Sequence, residues 1–298
     1  MSNTGLIIEE RSRDIGDFIV GRLIPFRKKR MVGPFIFIDH MGPTTLGPDH
    51  YMDVDQHPHI GIATLTYLLE GQIVHEDSIG TKQLIQPGSV NWMVAGKGCT
   101  HTERTPKILR AHKEVFTMHG YQIWVALPKD LEDIAPEFHH IEAQRLPVWK
   151  EESASLTLVA GKAFNRSSPV PVHSDLFMLD IKTTTDYNFK AEGNLKGEIG
   201  ICIVSGSIEA CDETITQGNM LVSKTKDICN IIIKENSHIL VFGGIPFPEK
   251  RHIFWNFVSH SPSKIEDAKA NWKSRSFPKI AHDDTYISLP EEPPKFRK

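Results

Sequence analysis

His57-Pro58-His59 and Gly96-Lys97-Gly98-Cys99-Thr100-His101-Thr102-Glu103 are the two stretches that decide how this chain is read. On an extended strand, residues i and i+2 point to the same face. His57 and His59 therefore aim one way, and so do His101 and Glu103. Two such strands facing each other in a small barrel offer three imidazoles and a carboxylate to one ion. That donor set suits a divalent transition metal, with iron the leading candidate, and leaves coordination positions open. Pro58 lacks a ladder N–H, which puts its strand at an edge or a barrel mouth. Gly96 and Gly98 allow a tight turn that carries the chain across to the next strand.

Around these doublets the chain is a succession of short β-type runs broken by Gly, Pro, Asn and Asp. The pattern predicts strands over 17–23, 35–39, 63–70, 72–77, 82–85, 90–95 and 121–126. A second set is predicted over 156–161, 176–183, 199–205, 207–210, 220–223, 228–233 and 238–242. One helix is predicted over 263–273, with Ser263 as its cap and Glu266 at capping-box spacing. Many short strands with regular turns argue for barrels or sandwiches. A faint repeat supports a duplication: Leu69-Glu70-Gly71-Gln72-Ile73 and Ser205-Gly206-Ser207-Ile208 each end one strand in Gly and begin another at once. The division is expected at 140/141, giving a metal-binding barrel over 1–140. A second barrel without a metal, together with the C-terminal helix and tail, would occupy 141–298. Ten of the 15 histidines precede residue 141, and the second half has no H-x-H or H-x-E doublet.

At 298 residues with a net charge of −3, the chain as a whole has no attraction for nucleic acid or anionic lipid. Its one basic run, Arg27-Lys28-Lys29-Arg30, reads as a solvated turn. No apolar run approaches the ~20 residues of a membrane span, and Met1–Asp17 lacks the apolar core of a secretory signal. Cys99, Cys202, Cys211 and Cys229 show no C-x-x-C spacing. Four reduced thiols in a cytoplasmic protein are the expectation, with Cys99 a small buried hydrophobe beside the ligands. Within the first half, His75 shares a face with Asp77 and competes as a ligand or as an orienting partner. His119 is a weaker candidate to line the pocket.

Phe35-Ile-Phe-Ile-Asp39-His-Met41-Gly-Pro43, His57-Pro-His59-Ile-Gly61, Pro87-Gly88-Ser-Val-Asn91-Trp92-Met93 and Ala95-Gly96-Lys-Gly98-Cys-Thr-His101-Thr-Glu103 resemble the pirin family of the cupin superfamily. Gly243-Gly-Ile-Pro246 and Trp255-Asn256-Phe257-Val258-Ser259 resemble its C-terminal block. The resemblance implies an all-β protein with few short helices. Two cupin barrels, each a double-stranded β-helix or jelly roll, would pack face to face. One mononuclear metal would be held by His57, His59, His101 and Glu103. Fe(II) leads, with Mn, Co, Ni, Cu or Zn as alternatives.

The resemblance also implies an activity of the quercetin 2,3-dioxygenase type, cleaving a flavonol with O2 in a monomeric protein. Burial would keep Glu103 basic enough to take the proton of a flavonol hydroxyl. Phe35, Phe37, Trp92 and Met93 are candidates to line an apolar pocket for a planar ring, and the two phenylalanines share a face, so both or neither should reach it. The alternative is a regulatory protein whose metal oxidation state sets its affinity for a transcription factor or metabolic enzyme, without direct DNA contact. A third option, a metal that only braces the barrel, fits poorly with an open donor set.

Overall fold

A computed structural model describes residues 5–14, 19–224 and 230–291. They form two cupin barrels, each built from a large and a small antiparallel sheet. One compact unit holds residues 37–140 with 12–20 and 248–298. The other holds 141–247 with 1–11 and 21–36. The chain thus exchanges segments at both ends, and the C-terminal helix and tail expected with the second barrel belong to the first unit. The cause is local packing. In helix Pro262–Lys273, Ile265, Ala268 and Trp272 are buried in one cluster with Ile60, Phe257 and Phe277. The helix is capped differently from the expectation. Pro262 takes the first helical position, where its fixed φ is already helical, and this moves the N-cap to Ser261 without a side-chain capping bond.

In the unit that carries His57, His59, His101 and Glu103 the small sheet runs Asp53–His59, Cys99–Arg104, Ile73–Asp77, Lys82–Ile85. Facing it, within a seven-stranded sheet, run Glu137–Ile141, Val90–Val94, Ile62–Glu70, Phe116–Ala126 and Phe35–Leu46. Asp53–His59 is an edge strand, as Pro58 requires. The tail runs along it: Ile287 N donates to the Gln56 carbonyl (3.0 Å), and Gln56 Nε2 donates to Asp283 O (2.6 Å). The turn Ala95–Gly98 carries the chain from the large sheet to Cys99–Arg104. Gly96 is needed there, since its φ is +51° and a Cβ would lie 2.1 Å from Ile134 O.

The repeat survives in the backbone. Gly71 (φ +85°) and Gly206 (φ +76°) join equivalent strand pairs, Ile62–Glu70 to Ile73–Asp77 and Glu198–Ser205 to Ser207–Ala210. The second unit's small sheet runs Tyr187–Phe189, Ile231–Ile233, Ser207–Ala210, Glu213–Thr216, the same order of connection as the first. In the basic run, Lys29 pairs with Glu198 at 2.5 Å. Cys99 and Cys202 are free and buried. Cys211, however, is disulfide-bonded, so the expectation of four reduced thiols is corrected. Parts of the strands predicted over 17–23 and 228–233, together with Cys229 and the end of the tail, lie outside the described residues. No helix among the described residues is long and apolar enough to cross a membrane.

Candidate metal centre

The doublet strands do not face each other across the barrel; they are hydrogen-bonded neighbours. His101 lies directly opposite His57, and Cys99 opposite His59. On the other side of the same strand, His101 lies opposite Asp77 and Glu103 opposite His75. A bulge shifts the register between His101 and Glu103, so that Glu103 faces Val54. The inward face of three adjacent strands thus carries six polar side chains, all buried: His57, His59, His75, Asp77, His101 and Glu103.

The donor atoms fall into two overlapping triplets, each within 4.8 Å: His57, His59 and His101, and His75, His101 and Glu103. His59 Nε2 and His101 Nε2 point at each other 3.1 Å apart. Two nitrogens each ~2.1 Å from one ion and at right angles to each other stand about that far apart. The three imidazoles are kept neutral. Burial pushes His57 down to about 4, and it holds His59 and His101 well below the ordinary histidine value, with neighbouring imidazoles adding to the effect. Neutral imidazole is the form that binds a cation. Burial also raises Glu103 above the ordinary carboxylate value. Buried neutral imidazoles converging to within 3.1 Å form a donor set that fits a divalent cation.

The surroundings fix which nitrogen is bare. His57 Nδ1 donates to the Asp55 carbonyl (2.8 Å), leaving Nε2 as donor to a metal. His75 Nε2 donates to Asp77 Oδ2 (3.0 Å), and Asp77 Oδ1 accepts the amides of Ile79 (3.1 Å) and Thr81 (2.9 Å). His75 Nδ1 is then an acceptor for His101 Nδ1 at 3.2 Å, which leaves His101 Nε2 bare. The chain Asp77–His75–His101 therefore orients a candidate ligand from behind, in the way carboxylates do for metal-bound histidines. Phe138 stacks on the His75 ring with centroids 4.6 Å apart. Cys99 is inert here, its thiol pushed up to about 12 by burial.

From the opposite sheet, Thr66 Oγ1 lies 3.2 Å from Glu103 Oε1 and 2.8 Å from Gln122 Oε1. Trp124 meets His59 edge to face at 5.0 Å, and Phe37 stacks on Trp124 at 3.9 Å. The expected pairing of Phe35 with Phe37 fails. The chain passes between units after residue 36, and Phe35 packs on Phe242 at 5.0 Å in the second unit. Trp92 and Met93 are also separated. Asn91 pairs with Thr66 and Met93 with Thr64, so Met93 shares the site-facing side of its sheet, while Trp92, opposite Leu65, points the other way. His119 belongs to a different cluster, with Nε2 2.9 Å from His40 Nε2 and Nδ1 3.8 Å from Glu70 Oε1. Thr66, Gln122, Trp124 and Phe138 were not anticipated. They come from strands with no ligand spacing, and only the sheet register brings them in.

Residues 17–125 match the Pirin family model, and residues 178–278 match the Pirin C-terminal cupin domain. A Pirin-like protein of Caulobacter vibrioides is 41% identical over 293 residues, covering 96% of this chain and 99% of that protein. The crystal structure of a quercetin 2,3-dioxygenase from Acinetobacter baumannii superposes with a TM-score of 0.86 at 32% identity, covering 96% of each chain. A bacterial pirin, YhhW of Escherichia coli, solved in complex with nickel(II), shares the fold at a TM-score of 0.61 and 19% identity, over 81% of this chain and 99% of its own. With both domains matched in order and an alignment spanning almost the whole chain, the protein belongs to the pirin family.

Proposed function

We propose that the protein is a metal-dependent oxidoreductase of the quercetin 2,3-dioxygenase type, which cleaves a flavonol with O2. The observation that supports this reading is the buried triplet His57, His59 and His101, to which Glu103 is linked through the second triplet it forms with His75 and His101; burial lowers the three imidazoles and raises the carboxylate. Its likeness to the Acinetobacter quercetin 2,3-dioxygenase supports this reaction class. A divalent transition metal held by these four residues, Fe(II) first among the candidates, would supply Lewis-acid and O2 chemistry.

The protein's own groups do the rest. Glu103, made more basic by burial, takes the proton of the flavonol hydroxyl at a carboxylate oxygen. Thr66 has one hydroxyl proton for two acceptors. It serves Glu103 while that group is a carboxylate, and it turns to Gln122 Oε1 once Glu103 carries the proton. The stacked pair Phe37–Trp124 gives a flat apolar wall beside His59, suited to a planar ring. Met93 lies on the same side of its sheet as Thr66 and is proposed to extend that wall. The test is direct. Protein loaded separately with Fe(II), Mn, Co, Ni, Cu or Zn is mixed with quercetin in air. Loss of flavonol absorbance with release of CO is expected for at least one metal; no turnover with any of them removes the proposal.

A further inference from the structure

Every polar group of Gln56 is engaged by one segment of the tail. Its backbone N–H donates to Thr285 Oγ1 (3.3 Å), and its carbonyl accepts from Ile287 N (3.0 Å). Its side-chain Nε2 donates to the carbonyls of Asp283 (2.6 Å) and Thr285 (3.2 Å), and Oε1 accepts from Ile280 N (2.9 Å). Gln56 is buried, and it immediately precedes His57. We propose that residues 280–287 form a strap that positions the metal ligands from outside the small sheet, with Thr285 and Asp283 as positioning residues acting through Gln56 and Arg104. This rests on the reading that His57, His59, His101 and Glu103 hold the metal.

The route to the ligand is short. One peptide unit, between Asp55 and Gln56, carries both bonds. Its N–H donates to Thr285 Oγ1, and its C=O, the Asp55 carbonyl, accepts from His57 Nδ1 at 2.8 Å. A peptide unit is planar, so its N–H and C=O turn together. The hydroxyl that fixes the one therefore fixes the other, and with it the orientation of the His57 ring and the nitrogen left bare.

The neighbouring ligand strand is held by the same two residues. Arg104, which follows Glu103, donates through Nη2 to Thr285 Oγ1 (2.8 Å) and Asp55 Oδ1 (2.9 Å), and through Nη1 to Asp283 Oδ2. Thr285 Oγ1 in turn donates to Asp283 Oδ1 at 2.5 Å. A threonine hydroxyl has one proton and two lone pairs, and all three are in use here. The bulge between His101 and Glu103 interrupts the ladder joining the two strands, so a clasp across them from outside matters most at that point. The strap has its own anchor. Tyr286 stacks on Trp272 with centroids 4.5 Å apart and donates to the Trp272 carbonyl (3.0 Å), while Trp272 Nε1 donates to Ile287 O (2.9 Å). Trp272 is buried in the cluster with Ile60 and Phe257, which keeps the strap seated when a single hydroxyl is altered.

The test is Co(II) binding by the full-length protein stripped of metal by chelation. Affinity is read against a competing chelator, and the visible absorption of the bound ion reports ligand geometry. Thr285→Val keeps the shape and removes the hydroxyl, whereas Thr285→Ser retains it. Thr285→Val should weaken Co(II) binding about tenfold, the lower end for a lost partner behind a ligand, while Thr285→Ser stays within about twofold of the wild type. The visible spectrum should change in Thr285→Val and not in Thr285→Ser. Asp283→Ala, which takes an acceptor from both Arg104 and Thr285, should lose at least as much as Thr285→Val. Urea unfolding of the metal-free variants separates positioning from support of the fold. A lowered midpoint in Thr285→Val with unchanged Co(II) affinity and spectrum overturns the proposal, as does equal weakening in Thr285→Ser and Thr285→Val. Wild-type protein that binds no Co(II) overturns the metal centre itself, and the strap's role with it.

Discussion

The two barrels share one small-sheet topology and fill it with opposite chemistry. In the first, three neighbouring strands turn His57, His59, His75, Asp77, His101 and Glu103 inward. In the second, the strands in the same order turn Tyr187, Phe189, Ile208, Ala210, Ile215, Ile231 and Ile233 into an apolar core. Fold alone therefore does not make a centre. Inward strand positions are core by default, and they become a site only when polar groups occupying them satisfy one another and share a further partner. All histidines except His173 and His238 belong to the ligand-bearing unit.

Removing a ligand should break this contrast most sharply. His101→Ala takes away the imidazole shared by both triplets. Metal retained after purification without chelator should fall below a tenth of the wild-type content, and flavonol turnover should fall by about 10³-fold or more. His238→Ala in the second barrel, which loses only a 2.8 Å bond to Asp180, should keep its metal. Elemental analysis of the two variants side by side is the check, and equal metal content in both would refute the assignment. Next in size is Glu103→Gln, which keeps the shape and removes the base. Turnover should drop ~10²–10⁴-fold, the usual worth of a general base, while some metal is retained. Steady-state kinetics on metal-loaded protein measures it.

The contrast also has a pH signature. His57 sits near 4 in the folded protein and at 6.5 when exposed, so between those values the unfolded chain binds the extra proton. Stability of the metal-free protein should therefore fall as pH drops from about 6.5 to 4, by about 3 kcal/mol from His57 alone. His59 and His101 shift in the same direction and add to it. Glu103 shifts the opposite way: its raised folded value favours the fold at acid pH and offsets part of the loss. Denaturant titrations across this window check the sign, and a flat or rising profile toward acid would show that the imidazoles are not held neutral. Hydrogen exchange on the same samples should place the loss in the ligand-bearing unit.

The four donors stand out because i, i+2 spacing is local and needs no register. The duplicated barrel is legible for the same reason, since Gly71 and Gly206 each mark a strand–turn–strand unit. What is not legible depends on pairing between distant segments. Asp53–His59 and Cys99–Arg104 are edge to edge rather than face to face because their register aligns His101 with His57. Parity splits Trp92 from Met93, and a change of unit after residue 36 splits Phe35 from Phe37. Thr66, Gln122 and Trp124 lie on strands whose alternation is that of any core. The tail that straps Gln56 is polar and proline-rich, with no period to show where it docks.

The smallest expected effect lies behind the ligands. His75 is not one of the four residues proposed to hold the metal, but it ties the His101 tautomer to Asp77. His75→Ala leaves His101 Nδ1 with no acceptor, so the ring can carry its proton on either nitrogen, and one of the two forms blocks the metal-facing lone pair. Metal affinity should fall ~10–100-fold, the usual cost of losing such a partner, with the fold intact because Phe138 loses only a stacking contact. Asp77→Asn should give a comparable loss, since its one amide oxygen cannot accept both from His75 and from the Ile79 and Thr81 amides. Competition against a chelator of known affinity reads both. If His75→Ala instead abolishes metal binding as fully as His101→Ala, then His75 is itself a ligand through the second triplet with His101 and Glu103. The metal would then sit one strand further into the sheet than His57 and His59 indicate.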